Sequence, residues 1–176
     1  FSYKGVHQQN IGINYKKNNW AFTTGGTHND FNGFGGDAYG RGKTWKPKEQ
    51  WMGNAKISYD KGPLNVYYRI EGLNEDIKSR SPINYSNNKA IDQQYITDRF
   101  THQLQGGYTF SSKVQMATVL GYTDYKRRTK TTRHDFEKNT DELTTGDGEQ
   151  DVSKFNSFVF RTTVQYQLSP KVSLQP

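Results

Sequence analysis

The chain has 176 residues and is 31% apolar, against roughly 45 to 50% for a typical soluble domain, which leaves little for a conventional core. Aromatics nonetheless reach 14%, with 12 Tyr, 10 Phe and 3 Trp, whereas disordered chains are aromatic-poor, so the composition predicts a folded, tyrosine-rich β protein. No window approaches about 18 consecutive apolar residues, which excludes a helical membrane protein. The absence of cysteine excludes disulfide frameworks and thiolate metal sites, and a net charge of +7 is spread too thinly to predict a nucleic-acid partner.

In chain order, "NIGINY" and "WAFTTGGTHNDF" flank a turn at Lys16 to Asn19 and read as a first hairpin. The next segment contains "GRGKTWKPKEQW". It superficially suggests a phosphate loop, but Asp37 stands where the first glycine belongs, and Pro47 opposes the helix that such a loop must open. In "QWMGNAKISYD" the residues Trp51, Gly53, Ala55, Ile57 and Tyr59 share one face and Met52, Asn54, Lys56 and Ser58 the other, the period of a strand. After the turn Asp60 to Pro63, "LNVYYRIEG" sets Leu64, Val66, Tyr68 and Ile70 against Asn65, Tyr67, Arg69 and Glu71.

The pattern repeats downstream. "LQGGYTF" places Leu104, Gly106, Tyr108 and Phe110 opposite Gln103 and Gln105, and turns at Ser111 to Lys113 into the run Val114 to Tyr125, whose two registers both carry apolar residues. "FVFRTTVQYQL" alternates Phe158, Phe160, Thr162, Val164, Tyr166 and Leu168 with Arg161, Thr163, Gln165 and Gln167, and turns at Ser169 to Lys171. Four hairpins with short turns are thus joined by polar connections near 34 to 49, 74 to 94 and 129 to 153. Short turns at one end and long loops at the other are the layout of an outer-membrane β-barrel. Trp51 and Tyr59, like Phe158 and Tyr166, lie eight residues apart on the apolar face, which at a tilt near 45° spans about 19 Å and marks them as two membrane girdles. Strands such as Trp20 to Gly33 and Gln94 to Phe110 exceed the roughly 9 to 11 residues that a bilayer needs, which points to a large barrel rising above the membrane. Both ends read as cuts through a longer protein.

The strings "NIGINYKKNNWAFTTGGTHNDFNGFGG", "KEQWMGNAKISYD" and "DQQYITDRFTHQLQGGYTFSSKVQMATVLGYTDYKRRT" resemble the barrel region of TonB-dependent outer-membrane receptors, the siderophore, haem and cobalamin group of Bacteroidetes-like bacteria in particular. The resemblance implies a transmembrane antiparallel β-barrel of 22 strands in the bacterial outer membrane, of which seven to eight are present here, all within one barrel domain. It implies nutrient uptake driven by the TonB complex, with the plug and the TonB box outside this segment. The partners it implies are the nutrient ligand, outer-membrane lipid and lipopolysaccharide, and a surface lipoprotein. It implies no cofactor and no nucleic acid. A small complete outer-membrane barrel and a soluble lipocalin-like ligand-binding barrel are the alternatives; the latter would line a cavity with its apolar set.

No catalytic constellation stands out, so an enzyme is not expected. His7, His28, His102 and His134 fall in four separate segments, which predicts no metal site. The acidic run Asn139 to Asp151 lacks the spacing of a calcium loop and reads as a solvated loop. Asn54, Lys56, Arg69, Glu71, Arg99, Gln103, Gln105, Arg161, Thr163 and Gln165 are assigned to the lumen, satisfied there by a polar plug and water. Tyr39, Arg41, Lys43, Trp45 and Lys46 combine aromatic rings with cations at an extracellular rim and are the candidate substrate contacts, suited to an anionic, aromatic ligand such as a catecholate siderophore.

Overall fold

The computed structural model describes residues 5–36, 40–169 and 172–175. They form one antiparallel sheet of β1 (Val6–Lys17), β2 (Trp20–Phe31), β3 (Lys48–Lys61), β4 (Leu64–Arg80), β5 (Lys89–Ser111), β6 (Val114–Asp135), β7 (Thr140–Leu143), β8 (Val152–Ser169) and β9 (Val172–Leu174). Strands pair with their sequence neighbours in the order β1-β2-β3-β4-β5-β6-β8-β9, and β7 adds a short ribbon to the far end of β6. This is a meander, the all-β, antiparallel wall of a β-barrel. Among the described residues the sheet is open, since β1 and β9 each have a single neighbour.

Among the described residues there is no conventional core. Ala90 is the buried apolar residue among those described, whereas Ile11, Phe158 and Phe160 are 73%, 69% and 64% exposed. A sheet whose apolar side chains have nothing protein-like against them must find another solvent for that face.

The register shows how completely the two faces differ. Directly opposed residues share a face, and following the pairs Phe22↔Ile57↔Tyr68↔Leu104↔Leu120↔Phe160 across the sheet keeps to apolar side chains. The adjacent row, Lys56↔Arg69↔Gln103, is polar. The apolar face assigns Val114, Met116, Leu120 and Tyr122 of β6 to itself, which fixes the register that alternation alone leaves open.

Aromatics bound this face on two lines. On the side of the short turns lie Trp20 and Tyr59, in ring contact at 4.8 Å, then Tyr108 and Tyr166; on the other lie His28 stacked on Trp51 at 3.9 Å, then Phe100, Tyr122 and Phe158. Trp51 shares its row with Asn74, Asp98, Lys126 and Lys154, so Phe100 sits two residues nearer the short turns than that row and Phe158 four. The lower line slips in step, from the Tyr59 row to Tyr108 two residues on and Tyr166 four residues on. A slip of one residue per strand corresponds to a strand tilt of about 35° for a rise of about 3.3 Å and a spacing of about 4.8 Å, at the lower end of the range for outer-membrane barrels. Eight residues at that tilt span about 22 Å. Between the two lines the apolar face of β2 to β6 and β8 carries no Asp, Glu, Lys or Arg among the described residues, while the polar face over the same span carries Lys56, Arg69, Glu71 and Arg161.

The short turns are tighter than the sequence suggests. The first is Asn18-Asn19 alone, with Lys16 and Lys17 in β1; Asn18 takes φ 54°, a left-handed conformation that Asn tolerates. The second is Gly62-Pro63, with Gly62 at φ 57° ahead of a proline whose ring fixes its own φ. Each turn is stitched to the next strand pair: Asn19, Pro63 and Lys113 accept backbone hydrogen bonds from Asp60, Thr109 and Gln167 at 2.8–2.9 Å. The turn at Ser169 to Lys171 lies largely outside the described residues.

The opposite end corrects the expected loop lengths. Residues 74–94 are not a loop, since β4 runs to Arg80 and β5 starts at Lys89, leaving 81–88; of 129–153, residues up to Asp135 belong to β6, 140–143 to β7 and 152–153 to β8. These extensions carry polar residues on both faces with only scattered apolar ones, so no alternation announces them. The acidic run is not freely solvated either. Thr129 and Thr131 donate backbone hydrogen bonds to Asp151 and Glu149, Gln150 Nε2 donates to the Thr131 and Thr144 carbonyls, and Thr131 and Thr144 are buried.

Candidate functional site

The rim where β2–β3, β4–β5 and β6–β7 connect is where the chain departs from regular sheet. The β2–β3 connection is closed at its base by a two-bond bridge between Phe34 and Trp45, at 2.9 and 2.8 Å. Within it, Arg41 does not project freely. Its guanidinium forms a fork with Asp92, Nη1 to Oδ1 at 3.1 Å and Nη2 to Oδ2 at 2.6 Å, donates to the Ser81 carbonyl, and lies 4.9 Å from the Phe136 ring centroid. Both side chains are about one-fifth exposed. Planar bidentate pairing of this kind is what Arg does and Lys does not, and here it ties three connections together.

The other predicted rim residues divide. Lys46 places Nζ 5.7 Å from the centroid of Tyr95, a ring that Arg127 also approaches at 4.8 Å. Lys43 is exposed beside a cleft of about 300 Å³ that Arg41, Lys78 and Arg80 also line. Trp45 is 65% exposed. Tyr39 lies outside the described residues. The structure therefore brings Arg41 and Lys46 to β5, at Asp92 and Tyr95, and leaves Lys43 and Trp45 facing solvent.

Tyr95 and Arg127 are the residues that sequence reasoning missed. Both belong to the polar face: the row Leu73↔Arg99↔Tyr125↔Phe155 runs directly below Arg127, and Tyr95 pairs with Thr129 above it. Parity along β5 could have found Tyr95, since it shares a face with Arg99 and Gln103, which the sequence does assign. Together Lys46, Tyr95, Arg99, Tyr125 and Arg127 make an aromatic and cationic wall above the polar face. It can hold anions through charge and planar rings through stacking.

Below this wall the residues assigned to the lumen occupy one face. Lys56 Nζ lies 4.3 Å from the Tyr67 centroid, and the Tyr67 hydroxyl donates to Gln105 at 2.8 Å. Arg69 pairs with Glu71. Arg161, Thr163, Gln165 and Gln105 line a shallow hollow of about 340 Å³, and Asn54 faces Glu71 across the ladder. Arg99 opposes Tyr125. Trp51, Tyr59, Phe158 and Tyr166 all lie on the opposite, apolar face.

Carboxylates of the rim are held in their charged form. Backbone N–H donation from Lys138, with Lys89 and the Glu137 N–H adding, keeps Asp135 below the usual carboxylate range; hydrogen bonds from Thr144 and the Gly146 N–H do the same for Glu149. Glu49 is lowered chiefly by His28 and then by the Trp51 indole.

No protein-family model matches the chain, and none of the curated proteins matches it. Among solved structures, it is similar to the ferric yersiniabactin uptake receptor FyuA from Yersinia pestis, at a TM-score of 0.61 over 94% of this chain with 8% identity. The chain spans about a quarter of that receptor, 26% of its length. At that identity the likeness is one of fold: this sheet follows the wall of a large receptor barrel.

Proposed function

We propose that the chain is a stretch of barrel wall from an outer-membrane receptor that takes up a scarce nutrient by TonB-dependent transport. The apolar face meets lipid, the polar face meets the lumen and its plug, and the rim of the lengthened strands faces outside. One observation carries this reading: among the described residues, a face free of Asp, Glu, Lys and Arg, about eight residues tall on β2 to β6 and β8, bounded by two aromatic lines that slip together. A lipid slab has two parallel edges, whereas the cavity of a soluble ligand-binding barrel has no cause to place aromatics along both. The likeness to a ferric-chelate receptor supports a transport role, and the wall of Lys46, Tyr95, Arg99, Tyr125 and Arg127 suits an anionic chelate carrying planar rings. Energy coupling through the TonB complex, and a surface lipoprotein partner, are the parts of this proposal that involve other regions and other chains.

The test is topological. Single cysteines at Asn87 and Gly148 are expected to react with a membrane-impermeant maleimide on intact cells, and cysteines at Gly62 and Ser112 only after the outer membrane is opened. Release of the protein from membranes without detergent, or labelling with the two ends reversed, overturns the proposal.

A further inference from the structure

The β2–β3 connection opens with the one Asn-Gly dipeptide of the chain, Asn32-Gly33. The regular ladder of β2 ends at Phe31, opposite Lys48, and pairing resumes at the Phe34–Trp45 bridge. Between those two pairs Asn32 is exposed and outside any strand, and neither its side-chain amide nor the Gly33 N–H makes a hydrogen bond among the described residues. Position 33 has to be glycine. Its φ is 81°, and a Cβ there would stand 2.8 Å from the Trp45 carbonyl oxygen and 2.9 Å from Pro47 Cδ. The residue that this backbone requires is therefore also the one that leaves its own nitrogen least shielded, beside an asparagine whose side chain is untethered.

The surroundings are cationic. Asn32 lines the cleft of about 300 Å³ that Arg41, Lys43, Lys78 and Arg80 share. Asp92 holds Arg41, and Asp76 lies 3.9 Å from Lys78 Nζ, but Lys43 and Arg80 have no ion-pair partner among the described residues. A negative charge that arises at Asn32 meets positive charge that no carboxylate yet balances.

We propose that Asn32 is a site of spontaneous covalent modification, at which the amide is exchanged for a carboxylate through attack by the Gly33 backbone nitrogen. That nitrogen gives its proton to solvent base and bonds to the Asn32 side-chain carbonyl carbon, closing a succinimide ring. The bond from that carbon to the amide nitrogen breaks, and the nitrogen takes up a proton and leaves as ammonia. Water then adds to either ring carbonyl and opens it, which leaves an aspartyl or an isoaspartyl residue. Ammonia is lost and water gained, with no change of oxidation state. The cations of the cleft favour each anionic stage, the deprotonated nitrogen, the tetrahedral oxyanion and the product carboxylate. The consequence is a rim whose charge changes with age: Lys43 and Arg80 acquire a counter-charge, and the positive field of the β2–β3 connection falls. None of this depends on the transport reading.

The experiment incubates the protein purified in detergent at mildly alkaline pH and follows every asparagine by peptide mass spectrometry, beside a free peptide with the sequence of residues 28–36. Asn32 is expected to convert ahead of every other asparagine and no more slowly than in the peptide, and Asn32→Gln to abolish the change. Raising the salt from about 0.01 M to about 1 M, which shortens the screening length from about 30 Å to about 3 Å, is expected to slow conversion in the protein relative to the peptide. At low salt the double variant Lys43→Gln with Arg80→Gln is expected to convert about two- to fourfold more slowly, about twofold for each unit charge some 8 Å away in water. The salt comparison uses the unaltered protein, so it decides the matter even where the variant does not fold. An amide retained at Asn32 while the peptide loses it, earlier conversion of another asparagine, or a protein-to-peptide ratio indifferent to salt overturns the inference.

Discussion

Each long strand passes through two environments on one unbroken ladder. From Phe100 to Tyr108, β5 alternates strictly, Phe100, His102, Leu104, Gly106 and Tyr108 on one face and Thr101, Gln103, Gln105 and Gly107 on the other; from Lys89 to Arg99 the same strand is polar on both sides, apart from Ala90, Ile91, Tyr95 and Ile96. Backbone pairing is equally regular in both parts. In the proposed membrane placement, what changes is the medium on the apolar face. The hydrogen-bonded ladder is therefore indifferent to environment, and the side-chain pattern records which solvent touches each face.

The sharpest way to break that comparison is to place one charge in each region. Ile57 and Leu143 are both apolar, both on the same side of the sheet and both open, at 45% and 59% exposed. If the apolar band meets lipid as proposed, Ile57→Arg is expected to cost roughly 2 to 4 kcal/mol in reversible unfolding from lipid vesicles, as is Val164→Arg. In the water-washed extension Leu143→Arg is expected to change stability by less than about 0.5 kcal/mol. Equal costs at the two sites would mean that the two regions share a solvent, and the distinction would fall.

A second variant sharpens the comparison within the extension, where order comes from polar ties in place of a lipid-matched face. Asp92→Ala leaves the Arg41 guanidinium, about one-fifth exposed, without its carboxylate. The expected penalty is about 1 to 3 kcal/mol, confined to the rim. It should appear in hydrogen exchange as faster loss of protection at the Phe34 and Trp45 amides, which close the base of the β2–β3 connection, with the amides of the band unchanged. Protection lost throughout the sheet would show that the rim supports the barrel and is not merely carried by it.

A third, smaller effect concerns the shared ring. Tyr95→Leu removes the face that Lys46 and Arg127 approach and keeps an apolar side chain. Each exposed cation–π contact contributes about 0.5 to 1 kcal/mol, so in the proposed uptake role ligand association on whole cells is expected to weaken by about two- to fivefold without loss of assembled barrel. Unchanged association would remove Tyr95 from the path of the ligand.

The same contrast explains what the sequence made legible. The band is a two-period signal with tight turns, so the strand faces, with Trp51, Tyr59, Phe158 and Tyr166 on the apolar one and Lys56, Arg69 and Arg161 on the polar one, follow from parity. The extensions carry no such signal, so residues 74 to 94 read as a loop although most of them are strand. The rim was legible in composition and not in contact. Nothing about Arg41 in the sequence indicates Asp92, 51 positions away, because only the register of β4 on β5 and the lean of the β2–β3 connection bring the two together. The slip of the aromatic lines likewise needs the pairing between strands, which one sequence does not contain.

The smallest expected effect is a pH dependence confined to the extension. Asp135 closes the β6–β7 turn, where its Oδ1 accepts from the Glu137 and Lys138 N–H groups at 3.0 and 3.1 Å, and its other oxygen lies 3.3 Å from Lys89. The Lys138 N–H bond foremost, then Lys89 and the Glu137 N–H, hold its carboxyl below the ordinary value. A carboxylate depressed in the folded state gives stabilisation that is complete above its unfolded pKa, about 3.9, and is lost as the pH falls through the lower folded value. Between pH 7 and 5 Asp135 should therefore contribute no pH dependence to the turn. Below about 4 the Glu137 and Lys138 amides should lose protection faster than the intrinsic rate predicts, and Asp135→Asn should show that weaker protection at every pH. The band, with no Asp or Glu on its apolar face among the described residues, should show no matching change at Leu104 or Leu120. A parallel loss there would mean that acid acts on the whole wall and not on the extension alone.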